Sequence, residues 1–227
     1  TNKDFRLFIT SEISPKLPTA LLRLSDVIVA EASSGITASM TRFMSTFSKA
    51  RLEESVIRNR LYLLVAWTHA VLEERVRYGW TYELAEADSV NALKVIDEFI
   101  DVQMKNPDQI PFDALCTTLK VDVFGSRIAK EEDQKILGTM IESIFNKNAF
   151  DLQFPLVPAI GAEGPVLPDS TTQEAMAAWI SSLPSHTPPT WVGLGEDAET
   201  ALEKVKAERI YSSIEKVSSA IAATTSK

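Results

Sequence analysis

From about Val56 to Tyr78 apolar residues recur at the helical period and then spill around the circumference, and this run constrains the fold more than any other. Ile57, Leu61, Leu64, Thr68, Val71 and Leu72 line one side of a helix. Leu63, Ala66, Trp67 and Ala70 widen that stripe, so neighbours are expected to bury the helix on more than one side. The flanking sequence offers such neighbours. Ile36, Met40, Phe43, Met44 and Phe47 share a helical face, and a third helix is expected from Asp88 as N-cap through Val90, Leu93, Ile96, Phe99 and Ile100. Pro111 suits the first turn of a fourth, carrying Phe112, Leu115, Leu119 and Val123 and ended by Gly125. A fifth carries Ile136, Leu137, Met140, Ile141, Ile144 and Phe145.

Two short runs before this helical body have strand character. Phe5 to Thr10 is β-rich and ends in a loop with Pro15 and Pro18, and Asp26 to Ala30 is a buried-type run bounded by Ser33-Ser34-Gly35. Between them Thr19 to Leu24 suits one or two helical turns. Behind the body, Pro155 to Ser170 holds four prolines and two glycines and reads as a linker. A helix from Thr172 to Leu183, stopped by Pro184, follows it. The last helix spans about Asp197 to Ala223; Leu202 and Val205 hold one phase and Ile210, Ile214, Val217 and Ile221 another, which suggests a bend or a change of packing partner near Arg209. The fold class read from the residues is therefore mostly α, with two leading strands.

Composition excludes several functions. A net charge of −8 opposes broad nucleic-acid binding, which needs a basic surface to displace counterions. Cys116 is the single cysteine, so there is no internal disulfide framework and no multi-cysteine metal site, and a reducing compartment fits. The most apolar run, Leu61 to Trp67, is far below the roughly 20 residues that a membrane helix requires, and no signal peptide is visible. A strand-like run so soon after Thr1 suggests a piece of something larger.

No catalytic constellation emerges. The phosphate loop G-x-x-x-x-G-K-[ST] is absent, so no cradle of backbone amides and no phosphate-binding lysine is in place. Lys94-Val95-Ile96-Asp97-Glu98 superficially resembles an apolar run ending in a magnesium-holding Asp-Glu pair. Lys94 interrupts it, and the helical spacing makes Asp97 and Glu98 a solvated face. His69 lies inside an apolar helix and is expected to be a hydrogen-bonded core residue, far in sequence from His186. Glu73, Glu74, Arg75 and Arg77 most simply form a solvated, charged helix end. Trp67, Trp80, Trp179 and Trp191 are expected to pack, Trp80 and Trp191 pinning loops onto the helical body.

Several phrases resemble the dynein heavy chain family, in the right order. Phe5 to Ile13, Pro15-Lys16-Leu17-Pro18 and Leu21-Leu22-Arg23 are similar to its late motor sequence. Leu64 to Ala70, with Glu74-Arg75 and Arg77-Tyr78, is similar to its lid helix. Gly79-Trp80, Tyr82-Glu83 and Ile110 to Leu115 follow, and Phe124-Gly125-Ser126-Arg127 stands where the family usually has Tyr-Gly-Gly-Arg. Ser182-Leu183-Pro184, Pro188 to Trp191 and Gly193-Leu194 resemble the opening of its C-terminal region, in a form closer to cytoplasmic than axonemal members. The resemblance covers Asp4 to Ala198; the turn at Tyr78-Gly79-Trp80 is shorter than usual, Ser126 replaces a glycine, and the tail matches poorly.

The resemblance implies a layout. Residues 1–48 would be the C-terminal part of a degenerate AAA+ large subdomain, contributing the two strands. Residues 49–154 would be the helical AAA lid of the sixth module, and 155–227 a linker and the start of the C-terminal region. Glu12 would stand where active modules carry a polar sensor, repelling a γ-phosphate, and Arg23 near the arginine-finger position, as an inter-module contact. Trp67, Trp80, Arg127 and Trp191 would be packing or interface residues, with no catalytic residue and no metal ligand. The expected function is structural and force-transmitting within a cytoplasmic, cytoskeleton-associated microtubule motor. ATP and Mg would be bound by other modules and not by this segment. Its partners would be the neighbouring modules and C-terminal region of the same heavy chain. The parent would bind microtubules and accessory chains, with no nucleic acid and no membrane insertion. The alternative is a freestanding helical adaptor that binds protein partners.

Overall fold

The computed structural model describes residues 4–11, 14, 16–29, 35–47, 55–82, 84–100, 106–157 and 164–225, with the side chains of 86 and 219–225 left aside. The chain divides into two compact units, 1–32 and 33–227.

In the first unit α1 (Thr19–Leu24) follows Pro18 and carries Arg23 in its last turn. At the two runs expected as strands, 5–10 and the described part of 26–30, no strand is present. Their β-rich composition suits a pleated surface, yet a strand exists only through hydrogen bonds to a neighbour. Among the described residues neither run is part of a β-ladder. Phe8 and Ile28 are 89% and 90% exposed, as side chains of an uncovered sheet would be.

The second unit is built around α3 (Val56–Arg77), with α2 (Ile36–Met44) ahead of it. Ser55 caps α3, its hydroxyl accepting from the Arg58 amide. The exit is closed by Gly79, whose positive φ of 95° lets its amide reach the Val76 carbonyl and the Trp80 amide reach that of Arg75. At 22 residues α3 is about 33 Å long, and every residue from Ile57 to Leu72 is buried. The expectation of burial on several sides is met.

Around it lie α4 (Glu86–Phe99), α5 (Phe112–Thr118), α6 (Glu131–Ile144), α7 (Gln173–Ser182) and, at the end, α8 (Ala198–Thr225). Two starts differ from the sequence reading. Asp88 is inside the first turn of α4, not its cap, and its carboxylate accepts from the Ala85 amide at 2.8 Å. Pro111 precedes α5 as its cap residue. The fourth helix does not run straight to Gly125 either. It widens into a π-helix over Leu119–Val123, closed by the Phe124 amide on the Leu119 carbonyl. A Cβ on Gly125 would lie 1.9 Å from the Lys120 carbonyl oxygen, so only glycine fits this turn.

The segment read as a linker is held to the bundle. Pro155 and Val166 form an antiparallel bridge, and Trp179 of α7 donates from its indole to the Val166 carbonyl at 2.9 Å.

Cys116 is buried against α6, its thiol donating to the Phe145 carbonyl. Burial, then the Glu142 carboxylate, pushes its pKa up to about 11. An unfolded thiol titrates near 8.5, so the stability this thiol contributes is present below that pH and is lost as pH rises toward 11. Thiolate is the reacting form, and its fraction at pH 8 falls roughly 200-fold on folding. Modification by a thiol reagent at pH 8 should be slowed at least that much relative to urea-unfolded chain. Equal rates would contradict the packing.

Candidate functional site

The most concentrated chemistry in the second unit is polar and lies on a helix that should be apolar. Arg58, Asn59, Arg60, Glu74 and Arg75 of α3 are all buried. Buried charge is costly unless fully bonded, so each must have a partner. Arg60 donates through Nε to the Ala149 carbonyl, through Nη2 to that of Asp151 at 2.7 Å, and through Nη1 to that of Pro168 at 3.3 Å. Its guanidinium thus joins two separate stretches of the chain that follows α6. Burial lowers its pKa, opposed by the Asp169 and Asp151 carboxylates. Asn59 adds a bond to the Thr171 carbonyl at 3.3 Å.

At the other end of α3, Arg75 donates to the Val192 carbonyl, and its guanidinium stacks on Trp80, 4.7 Å from the ring centre. Its pKa also falls with burial, with Asp133 acting in the opposite sense. Arg77 bridges Glu74 at 3.0 Å and Glu199 of α8 at 2.9 Å. Arg77 remains partly exposed, but Glu74 and Arg75 correct the expectation of a solvated helix end. The loop holding Val192 meets Arg75, and Arg77 pairs with Glu74, which sequence periodicity does not register.

An aromatic cluster connects the same elements. Trp67, fully buried on α3, lies 5.8 Å from Trp191 and 6.5 Å from Trp179 between ring centres. Trp191 sits in the 3₁₀ turn Pro189–Val192. Between α3 and α6 a cleft of about 480 Å³ is lined by Trp67, Arg75, Ile136, Met140, Val157 and Trp191. Trp80 packs edge-on against Tyr82. Arg127, half exposed after the π-helix, is 3.4 Å from Asp88, so it ties that turn to the start of α4.

The other residues singled out from sequence do not gather here. Arg23 is exposed on α1, and Glu12 lies outside the described residues. Asp97 accepts from the Tyr62 hydroxyl and pairs with Arg58 at 3.2 Å; it lies on a helix as expected, but on a covered face, while Glu98 is exposed. His69 is buried 3.9 Å from Glu73, whose carboxylate also binds Arg42 at 2.8 Å and Ser39. His186 is exposed beside Glu199. Among the described residues no cluster of His, Cys, Asp or Glu is arranged to hold a metal, and no helix is long and apolar enough to cross a membrane.

Sequence reasoning missed Asn59, Arg60 and Arg75 as organising residues. Their signal was present as strongly polar side chains within an otherwise apolar helical run.

This geometry defines a class first: a helical module whose enclosed central helix uses its polar side chains to grip backbone. Comparison with known families then gives it a place. The family description "Dynein heavy chain AAA lid domain" matches residues 58–198, which span α3 to the first residue of α8. The chain is 38% identical over 227 residues to the cytoplasmic dynein heavy chain of Dictyostelium discoideum, 95% of this chain and 5% of that one. It is 39% identical to that of Paramecium tetraurelia over 210 residues, 87% and 5%. With that of Drosophila melanogaster it shares 35% over 232 residues, 95% and 5%. The chain belongs to the dynein heavy chain family, through its AAA lid domain. It spans about 5% of the length of these relatives.

Proposed function

We propose that this segment is a non-hydrolysing structural element of a dynein motor ring, passing motion between neighbouring parts of the same heavy chain. The observation that carries this reading is the grip of Arg60 on three backbone carbonyls. Together with the Asn59 and Arg75 bonds it makes the lid helix and the segment after α6 resist separation. A rigid body of this kind transmits a displacement that a flexible linker would absorb. The missing phosphate loop supports the absence of hydrolysis within the segment.

In this reading residues 1–48 end an AAA+ large subdomain, 49–154 are the lid and 155–227 begin the C-terminal region. The exposed apolar side chains of the first unit would meet the strands of the rest of that subdomain, and Arg23, exposed on α1, would meet a neighbouring module. Glu12 would mark a degenerate nucleotide position. ATP and Mg belong to other modules of the parent, which would bind microtubules and accessory chains in the cytoplasm, on the cytoskeleton.

The test is made in the full heavy chain. Replacing Arg60 by glutamine should leave nucleotide affinity at the other modules within twofold while lowering microtubule gliding velocity at least threefold. Unchanged velocity would overturn the reading, and so would ATP binding by residues 33–227 that survives removal of every other module.

A further inference from the structure

The helix α2 takes its cap from a distant part of the chain. Gly35 turns into it at φ +85°, a conformation that residues with a side chain rarely adopt, so the cap position itself brings no hydroxyl or carboxylate. Thr187 brings one from 151 positions away: its buried hydroxyl oxygen accepts from the Ile36 amide at 3.3 Å. Beside it Thr37 donates from its own hydroxyl to the Pro184 carbonyl at 3.2 Å. The start of α2 is thus keyed to the loop 184–187, which follows α7.

Further along, the same helix is held by α3. Glu73 accepts from the Arg42 guanidinium at 2.8 Å and from the Ser39 hydroxyl, while Met40 and Phe43 are buried in the core. In the layout of 1–48, 49–154 and 155–227, α2 closes the first segment, Glu73 lies in the second and Thr187 in the third. A helix of nine residues therefore touches all three. A helix this short does not hold together alone, so its order comes from its anchors, and each anchor depends on the other being made. We propose that α2 is a strut coupling the central helix α3 to the loop after α7, so that releasing either anchor loosens the other. Such coupling is reciprocal. The bonds belong to this chain and only the three segment names rest on the motor reading, so exchange in this chain tests the strut without testing the motor.

Amide hydrogen exchange followed by NMR on the full 227-residue chain is the experiment. Thr187→Val keeps the side-chain shape and removes the hydroxyl, and it should lower protection of the Ile36 amide about tenfold, within the range for a lost cap. Thr187→Ser should hold it within threefold of the starting protein. Glu73→Gln, at the other anchor, should lower protection of the same amide at least threefold. Ser181→Ala serves as control, because the Ser181 hydroxyl bonds the Ala177 carbonyl of its own helix, and it should leave Ile36 as it was. The amide of Ala92, buried in α4, should keep its protection throughout. Ile36 protection within twofold of the starting value in Thr187→Val would overturn the cap, and in Glu73→Gln it would overturn the strut. Equal losses at Ile36 and Ala92 would overturn both, because the effect would then be global.

Discussion

Replacing Arg60 by methionine should destabilise the second unit by about 3 kcal/mol, because three carbonyls lose a charged donor at once. A hydrogen bond to a charged group contributes about 1.5–3 kcal/mol, so a simple sum would exceed this. Two corrections reduce it. The bonds to Asp151 and Pro168 are only part-buried, so water reaches their carbonyls once the side chain is gone, and the cost of burying the guanidinium disappears with it. Lysine should recover less than half of the loss, since one ammonium cannot reproduce the planar fork that spans two stretches of chain. Urea denaturation gives the magnitude, and hydrogen exchange gives the place. Protection should fall first in 147–171, while the interior of α3 is affected only through global unfolding. A loss below 1 kcal/mol, or protection falling evenly throughout the unit, would show that Arg60 is not the clasp.

Trp67→Ala should cost more, about 3–5 kcal/mol, the range for deleting a fully buried large aromatic side chain. The indole stands where α3, α7 and the Pro189–Val192 turn meet, so its removal leaves a cavity that three elements would have to close together. Trp191→Ala should cost less than half as much, because that ring is partly exposed and its loss opens the cluster to solvent instead of leaving a void. The two substitutions touch one cluster, so their effects should add to less than their sum. Chemical denaturation of both single variants and the double variant measures this directly. A Trp67→Ala loss under 2 kcal/mol would mean that the site collapses easily and that the cluster is not what joins the turn to the helix.

These two residues also separate what was legible in the sequence from what was not. Trp67 could be identified as packing because a helical period of apolar residues surrounds it, and that period is local information. Arg60 lies in the same run, and its charge reads locally as a solvated turn. What buries it is the set of carbonyls it meets, which come from residues 89 to 108 positions away. The same holds for Arg75 and Val192, which are 117 positions apart. Glu74 fails too, since a carboxylate beside arginines looks solvated in sequence although it is buried and paired with Arg77. The two early runs show the same limit, since no strand is present at either among the described residues. Phe5 to Thr10 has the composition of a strand, but composition states only that a strand would be tolerated, and the partner that makes the ladder is a tertiary fact.

The order of the helices, the enclosed character of α3 and the family were settled by sequence alone. Periodicity and ordered phrases are carried along the chain, and no distant contact is needed to read them. Tertiary structure decided which charged side chains of α3 are buried, what they hold, and how the proline-rich segment is bound to the bundle. A buried cation is stable only where donors and acceptors converge in space, and that convergence is absent from any local stretch of sequence.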